Sequence, residues 1–329
     1  VKDFAIHMLP ILIVSASVIG TWRQVRAVFR VLALGGFVVL VATKYFGVEA
    51  QGRIQLSSSG TIGNSNDLAA HLLFLTPFLI WVLMDRNRHL IFRIGAFGAI
   101  AYSLYGVLGT GSSGALVAIL AGALFFLINA PMRVRLGFLI GGTVLLLALP
   151  AALPDATKAR LAAFFGEEHQ EAEESGDSRL YLFQKSVEFS LRYPVFGVGP
   201  DQFATFEGMD SRQRGQRGNW HATHCAWTQV SSEAGIPALV FLLLALGTAL
   251  IPLHRCYQQA KKSANPEVMH TLFCLLLAVI LLLGAVTFLS QAYNFDFALV
   301  IGLAVAVTRT AQRELRAGLG GRTAPAYRA

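Results

Sequence analysis

Apolar residues run through this chain in blocks of about 17–25, the length that crosses a bilayer as a helix. Spans are predicted near 4–20, 28–46, 68–84, 93–110, 114–130, 136–152, 236–252, 270–289 and 294–308. One long polar stretch, Leu153 to Gly235, separates the sixth from the seventh. The pattern predicts an all-α polytopic membrane protein of about nine transmembrane helices. Residues 1–152 would hold helices 1–6, 153–235 a large external loop, 236–308 helices 7–9, and 309–329 a basic tail.

The polar stretch has its own pattern. A short amphipathic piece, Thr157 to Phe165, precedes an acidic run from Glu167 to Asp177 that reads as a solvated segment. In Ser178 to Tyr193, Leu180, Phe183, Val187 and Leu191 recur at helical spacing, which predicts a helix lying in the membrane interface. Arg179 and Lys185 would sit near the headgroups, and Pro194 ends the helix. A turn, PVFGVGPDQF, and a basic patch at Arg212, Arg214 and Arg217 follow. Asn219 to Glu233 reads as a further helix stopped by Gly235 and Pro237. That would put His221, His224 and Thr228 on one face, with Trp220 and Trp227 as interfacial anchors and Glu233 near the mouth of the seventh span.

Composition agrees with a membrane protein. The chain is 54% hydrophobic and 14% charged, against about 25% charged in soluble domains. Its net charge of +8 would point to nucleic acid in a soluble protein. Here the basic residues fall in alternate short connections (Arg23, Arg26 and Arg30; Arg86, Arg88 and Arg93; Arg133 and Arg135; Arg255, Lys261 and Lys262) and in the tail. The positive-inside rule places these in the cytoplasm and the long loop outside. It also puts Val1 outside, so an odd number of helices is expected to precede it. Cys225, Cys256 and Cys274 are too scattered for a disulfide framework.

Two Gly-rich places break the apolar runs. In GTIGNSNDLAAH, Gly60 to His71, Asn64, Asn66 and Asp67 suit a turn that caps the next helix. LGTGSSGAL, Leu108 to Leu116, reads as a tight turn whose small residues let helices approach; the phosphate-loop order is absent.

A histidine at the outer surface can remove a proton from a sugar hydroxyl. An arginine fork matches diphosphate oxygens. Together they suit transfer of a group from a lipid diphosphate. His221 and His224 also offer two metal ligands, a weak pattern without further ligands. Ser112 and Ser113 have no evident base beside them.

HCAWTQVSSEAGIPALVF, His224 to Phe241, resembles the His-containing signature of the O-antigen ligase and polymerase superfamily. PVFGVGPDQF resembles its PxxGxGxxxF block, GTIGNSNDLAAHLLFLTPF its early GxFxNPNxLA block, and GTGSSGAL its SRGAL block. The resemblance runs in patches from about 60 to 241, in the right order. It implies a GT-C-like helical protein of a bacterial inner membrane, with its long loop in the periplasm. The implied donor is an undecaprenyl-diphosphate-linked glycan. The acceptor would be lipid A core, a growing polysaccharide or protein, with no metal or other cofactor. His224 matches the family's acceptor-activating histidine and Arg179 its diphosphate-holding arginine. The family's SRG arginine is Ser113 here, for which Arg53 and Arg192 are candidate replacements. The Asn that follows the family's His is Cys225. Asn66, His221, Gln229 and Glu233 complete the expected substrate-binding set. Two other classes stay open: a glycan or lipid transporter, which needs ionisable residues inside the spans, and a non-catalytic membrane scaffold.

Overall fold

Eleven named helices and one small hairpin make up the fold in a computed structural model that describes residues 2–50, 52–56, 64–129, 132, 135–137, 139–143, 170–215, 217–263 and 265–320. In chain order they are α1 (Lys2–Ser17), α2 (Trp22–Phe46), β1 (Gly47–Ala50), β2 (Arg53–Leu56), α3 (Ser65–Met84), α4 (Leu90–Gly109) and α5 (Ser113–Asn129). After these come α6 (Gln170–Arg192), α7 (Phe203–Gln213), α8 (Ala226–Ala234), α9 (Ile236–Lys261), α10 (Pro266–Val286) and α11 (Phe295–Gly320). Among the described residues six helices are long and apolar enough to span a membrane: α2, α3, α4, α9, α10 and α11. α5 and the Met8–Ser17 part of α1 are shorter apolar helices. The span expected at 136–152 is helical at 139–143, and its remainder lies mostly outside the described residues, as does Thr157 to Phe165.

The helices run further than hydropathy alone indicates. α2 begins at Trp22, not near residue 28, because Thr21 and Gln24 form a capping box. α9 continues to Lys261 and α11 through the start of the expected tail to Gly320. Hydropathy marks where lipid ends, whereas backbone hydrogen bonding continues into water. The hairpin is a correction to the all-helical expectation. β1 pairs antiparallel with β2, Ala50 opposite Arg53, and Gly52 turns the chain at φ 68°.

Apolar residues on every side mark a helix for the interior. α10 is 72% and α3 67% buried over their most apolar windows, against 28% or less for α2, α4 and α9. α10 packs on α3, α5 and α9, while α2 and α4 flank α3 and α1 lies on α11. Small residues permit the α5–α10 approach. A Cβ on Gly114 would stand 2.7 Å from that of Phe288, and one on Gly122 would stand 2.6 Å from Leu281. The tight-turn reading of LGTGSSGAL therefore holds.

The two ends of the bundle differ. At one end Glu267 accepts from Trp22 Nε1 at 3.0 Å and pairs with Arg26, and Arg309 donates to the carbonyls of Ala16 and Ile19. The other end gathers the hairpin, the start of α3, the α4–α5 turn and the polar lobe α6–α8. Alternate connections therefore share an end, as their charges predict.

Candidate functional site

The polar lobe is built round three carboxylate clamps. On α6, Leu182 and Phe189 pack against Phe203, with Phe206 closing the cluster. Leu180, Phe183, Val187 and Leu191 face outward. The amphipathic stripe is real, but Lys185 lies on the inner side. It is buried and pairs with Glu188 at 2.9 Å and Asp210 at 3.5 Å, which corrects its expected place among headgroups. Arg214 joins both carboxylates, at 2.7 Å and 3.1 Å, and Arg192 reaches Asp210 at 3.2 Å. Lys185, with Arg214 behind it, holds the Glu188 carboxyl below its usual range. Of the expected basic patch, Arg214 is thus ion-paired, and Arg212 lies over the Trp220 ring at 5.6 Å.

Glu207 is fully buried and forms the second clamp. Its Oε2 accepts from the backbone N–H of Asn219 and of Trp220, both at 2.9 Å. Its Oε1 accepts from Tyr181 and Ser211. Trp220 takes φ 54° and lies where a Cβ on Gly208 would be. Glu233 is the third clamp. It accepts from the N–H of Asp201 at 2.8 Å and of Phe203 at 3.2 Å, fixing the PVFGVGPDQF turn. That turn also bonds α8 directly, Val198 N–H to Ser232 and Gly199 N–H to Glu233. Burial raises the Glu233 carboxyl, although these donors oppose the rise.

The helix expected from Asn219 begins only at Ala226. The seven residues before it are extended or looped, with left-handed φ at Trp220 and His224. His221, His224 and Thr228 therefore do not share a helical face. Glu207 holds the loop through the N–H groups of Asn219 and Trp220, and His224 is held by a separate contact. The backbone N–H of His224 donates to Ser290 Oγ at 2.7 Å, and Trp227 Nε1 donates to Thr287 at 3.1 Å. The loop is thus anchored to the α10–α11 connection. A left-handed residue without glycine costs about 1–2 kcal/mol, and such strain collects where function needs a fixed side chain.

His224 opens onto a cavity of about 570 Å³ lined by Ala50, Arg53, Gln55, Asn64, Ser65, Asn66, Asp67, Ala222, Leu289 and Ser290. The Arg53 Nε–H donates to the Thr110 carbonyl at 2.7 Å, and Nη2 to Asn66 Oδ1 at 2.6 Å. Asn64 caps α3 by accepting from Asp67 N–H at 2.9 Å, as expected. Burial lowers the affinity of His224 for a proton, and the charges of Arg179 and His221 lower it further. His224 therefore gives up a proton more readily than an ordinary imidazole.

Of the residues expected from sequence, Arg53, Asn66 and His224 line one cavity, and Arg179 and His221 act on His224 through their charge. Arg192, Glu233 and Gln229 do not line it. Arg192 belongs to the ion-pair network, Glu233 clamps the turn, and Gln229 accepts from the N–H of Ala292 at 3.1 Å. Sequence reading missed Gln55, on the unforeseen hairpin, and Ser290, in a connection with no motif. Asp67 reads from sequence as a capping residue and an ionisable group at a span edge, not as a cavity residue.

Beneath the cavity lies an ionisable pair that the sequence did not reveal. His71 Nε2 is 3.3 Å from Asp296 Oδ2, both buried between α3 and α11. His71 Nδ1 faces the Asp67 carbonyl at 2.9 Å, so that nitrogen carries the proton. Among the described residues no three His, Cys, Asp or Glu are gathered as metal ligands. The three cysteines are buried thiols.

No curated protein matches the chain. Residues 98–243, from α4 through the polar lobe to the start of α9, match the family model for O-antigen ligase. This span includes Arg179, His224 and Glu233, and leaves Arg53 and Asn66 outside it. Over residues 98–243 the chain is thus similar to the O-antigen ligase family.

Proposed function

We propose that the protein transfers an undecaprenyl-diphosphate-linked glycan to a hydroxyl of lipid A core, a growing polysaccharide or a protein, on the periplasmic side of a bacterial inner membrane. The observation that carries this reading is the placing of His224 and Arg53 on one polar cavity. About 570 Å³ lies within the usual range for a small-molecule site. It has room for a diphosphate and its adjoining sugar, and its open side leaves the rest of a polymer outside.

His224 takes the proton of the acceptor hydroxyl. That oxygen attacks the anomeric carbon, the bond from this carbon to the diphosphate oxygen breaks, and the electron pair leaves with the diphosphate. Attack from the side opposite the leaving group inverts the anomeric centre. Arg179 and Arg53 stabilise the charge that develops there. Arg53 stands in for the arginine that the family carries where this chain has Ser113. No other cofactor is called for by these steps.

The test is release of undecaprenyl diphosphate from a lipid-linked glycan by purified protein, with acceptors added one at a time. Acceptor-dependent release that is lost in H224A supports the reading; release that survives H224A removes the proposed base. The buried His71–Asp296 pair favours one other reading, a proton-coupled transporter. Movement of intact glycan across vesicles without a covalent product would establish that instead.

A further inference from the structure

Asp67 sits on the cavity wall one residue from Asn66, the partner of Arg53, and yet is not neutralised by it. The arginine is engaged by Asn66 and the Thr110 carbonyl. Asp67 receives neutral amides only: Gln291 Nε2 donates to its Oδ1 and Asn64 Nδ2 to its Oδ2. No Lys or Arg forms an ion pair with it among the described residues. Gln291 and Asn64 take one acceptor site on each oxygen, which leaves the Asp67 carboxyl with acceptor capacity for a ligand. Phosphate is repelled there, whereas hydroxyl groups donate. The cavity therefore has two poles, a guanidinium suited to diphosphate and a carboxylate suited to sugar hydroxyls.

The support behind Asp67 is unusually firm. Gln291 comes from the α10–α11 connection that also supplies Ser290 to His224. One turn along α3, His71 bonds the Asp67 carbonyl and meets Asp296 of α11. His71 Nε2 and both Asp296 oxygens have no hydrogen-bond partner among the described residues, and the two side chains face each other at 3.3 Å. This buried contact ties the start of α3 to α11.

We propose that Asp67, held by Gln291, Asn64 and the buried His71–Asp296 pair, binds the hydroxyl-bearing acceptor in the cavity beside His224. This rests on the transferase reading above. The donor is already fixed through its diphosphate; the acceptor has no charge of its own at the reacting hydroxyl and needs a hydrogen-bond acceptor to orient it.

The experiment is steady-state release of undecaprenyl diphosphate by full-length protein, varying first the acceptor that supports wild-type turnover and then the donor. D67N is expected to raise the acceptor KM about tenfold, the loss of one charged hydrogen bond, with the donor KM unchanged within about twofold. D67S serves if D67N does not fold. An unchanged acceptor KM, or a rise in the donor KM instead, overturns the assignment while leaving the transferase reading intact. No release by wild type with any acceptor overturns both.

Discussion

Arg53 donates through Nε to the carbonyl of Thr110 across 2.7 Å. A residue of the hairpin is thereby fixed to the α4–α5 turn, three positions before Ser113, where the superfamily carries an arginine. If Arg53 supplies the diphosphate contact, R53A should lower transfer about 100-fold, the cost of removing one preorganised donor. R53K should fall between, because an ammonium lacks the planar fork. The double variant R53A/S113R should recover part of the loss. Initial rates of undecaprenyl diphosphate release decide it, and S113R without any rescue would separate the two positions.

A base works unprotonated, so kcat/KM should hold as pH falls and then decline through the pKa of His224. Burial, then Arg179, then His221 keep that value below the ordinary one, which is about 6.5. The acid limb should therefore lie below it. R179Q removes one positive neighbour, so the limb should move to higher pH even as the plateau drops. H221A should move it the same way by less. A pH–rate profile of the three proteins checks both shifts, and an unmoved limb in R179Q would assign the titration to another group.

Glu207 holds two backbone N–H groups and two hydroxyls with no exposure to solvent. E207A leaves the two N–H groups unsatisfied, while Tyr181 and Ser211 still meet at 3.0 Å, and should cost about 3 kcal/mol. Thermal unfolding should begin at lower temperature, and limited proteolysis should cut near 219–224. G208A tests the same unit from the other side, since its methyl displaces the Trp220 ring. Trp220 emission should shift to the red in G208A, and an unshifted spectrum would mean that the ring is held elsewhere.

What the sequence made legible follows from the range of each interaction. Apolar blocks declared the spans because bilayer thickness acts on composition alone. The cap at Asn64 was legible because Asn64 and Asp67 are three residues apart. The loop before α8 was not, because Glu207 and Ser290, which hold it, are 12 and 66 residues away from their partners Asn219 and His224. Lys185 looked like a headgroup contact because Asp210, its buried partner, lies on another helix. Arg192 looked available for phosphate for the same reason.

Ser290 gives the most direct test of how His224 is held. Its Oγ accepts the backbone N–H of His224 at 2.7 Å, and its hydroxyl also meets Thr223 at 3.3 Å. The left-handed backbone at His224 has no helical hydrogen bond to keep it in place, so this contact fixes where the imidazole points. S290A should reduce kcat about tenfold, the order expected when a hydrogen bond of roughly 1.4 kcal/mol is lost from a preorganised site, with little change in donor KM. S290T keeps the hydroxyl and should restore most of the rate. Because Ser290 acts through His224, S290A should add little to the defect of H224A, and a fully additive double variant would show that Ser290 serves the cavity in some other way.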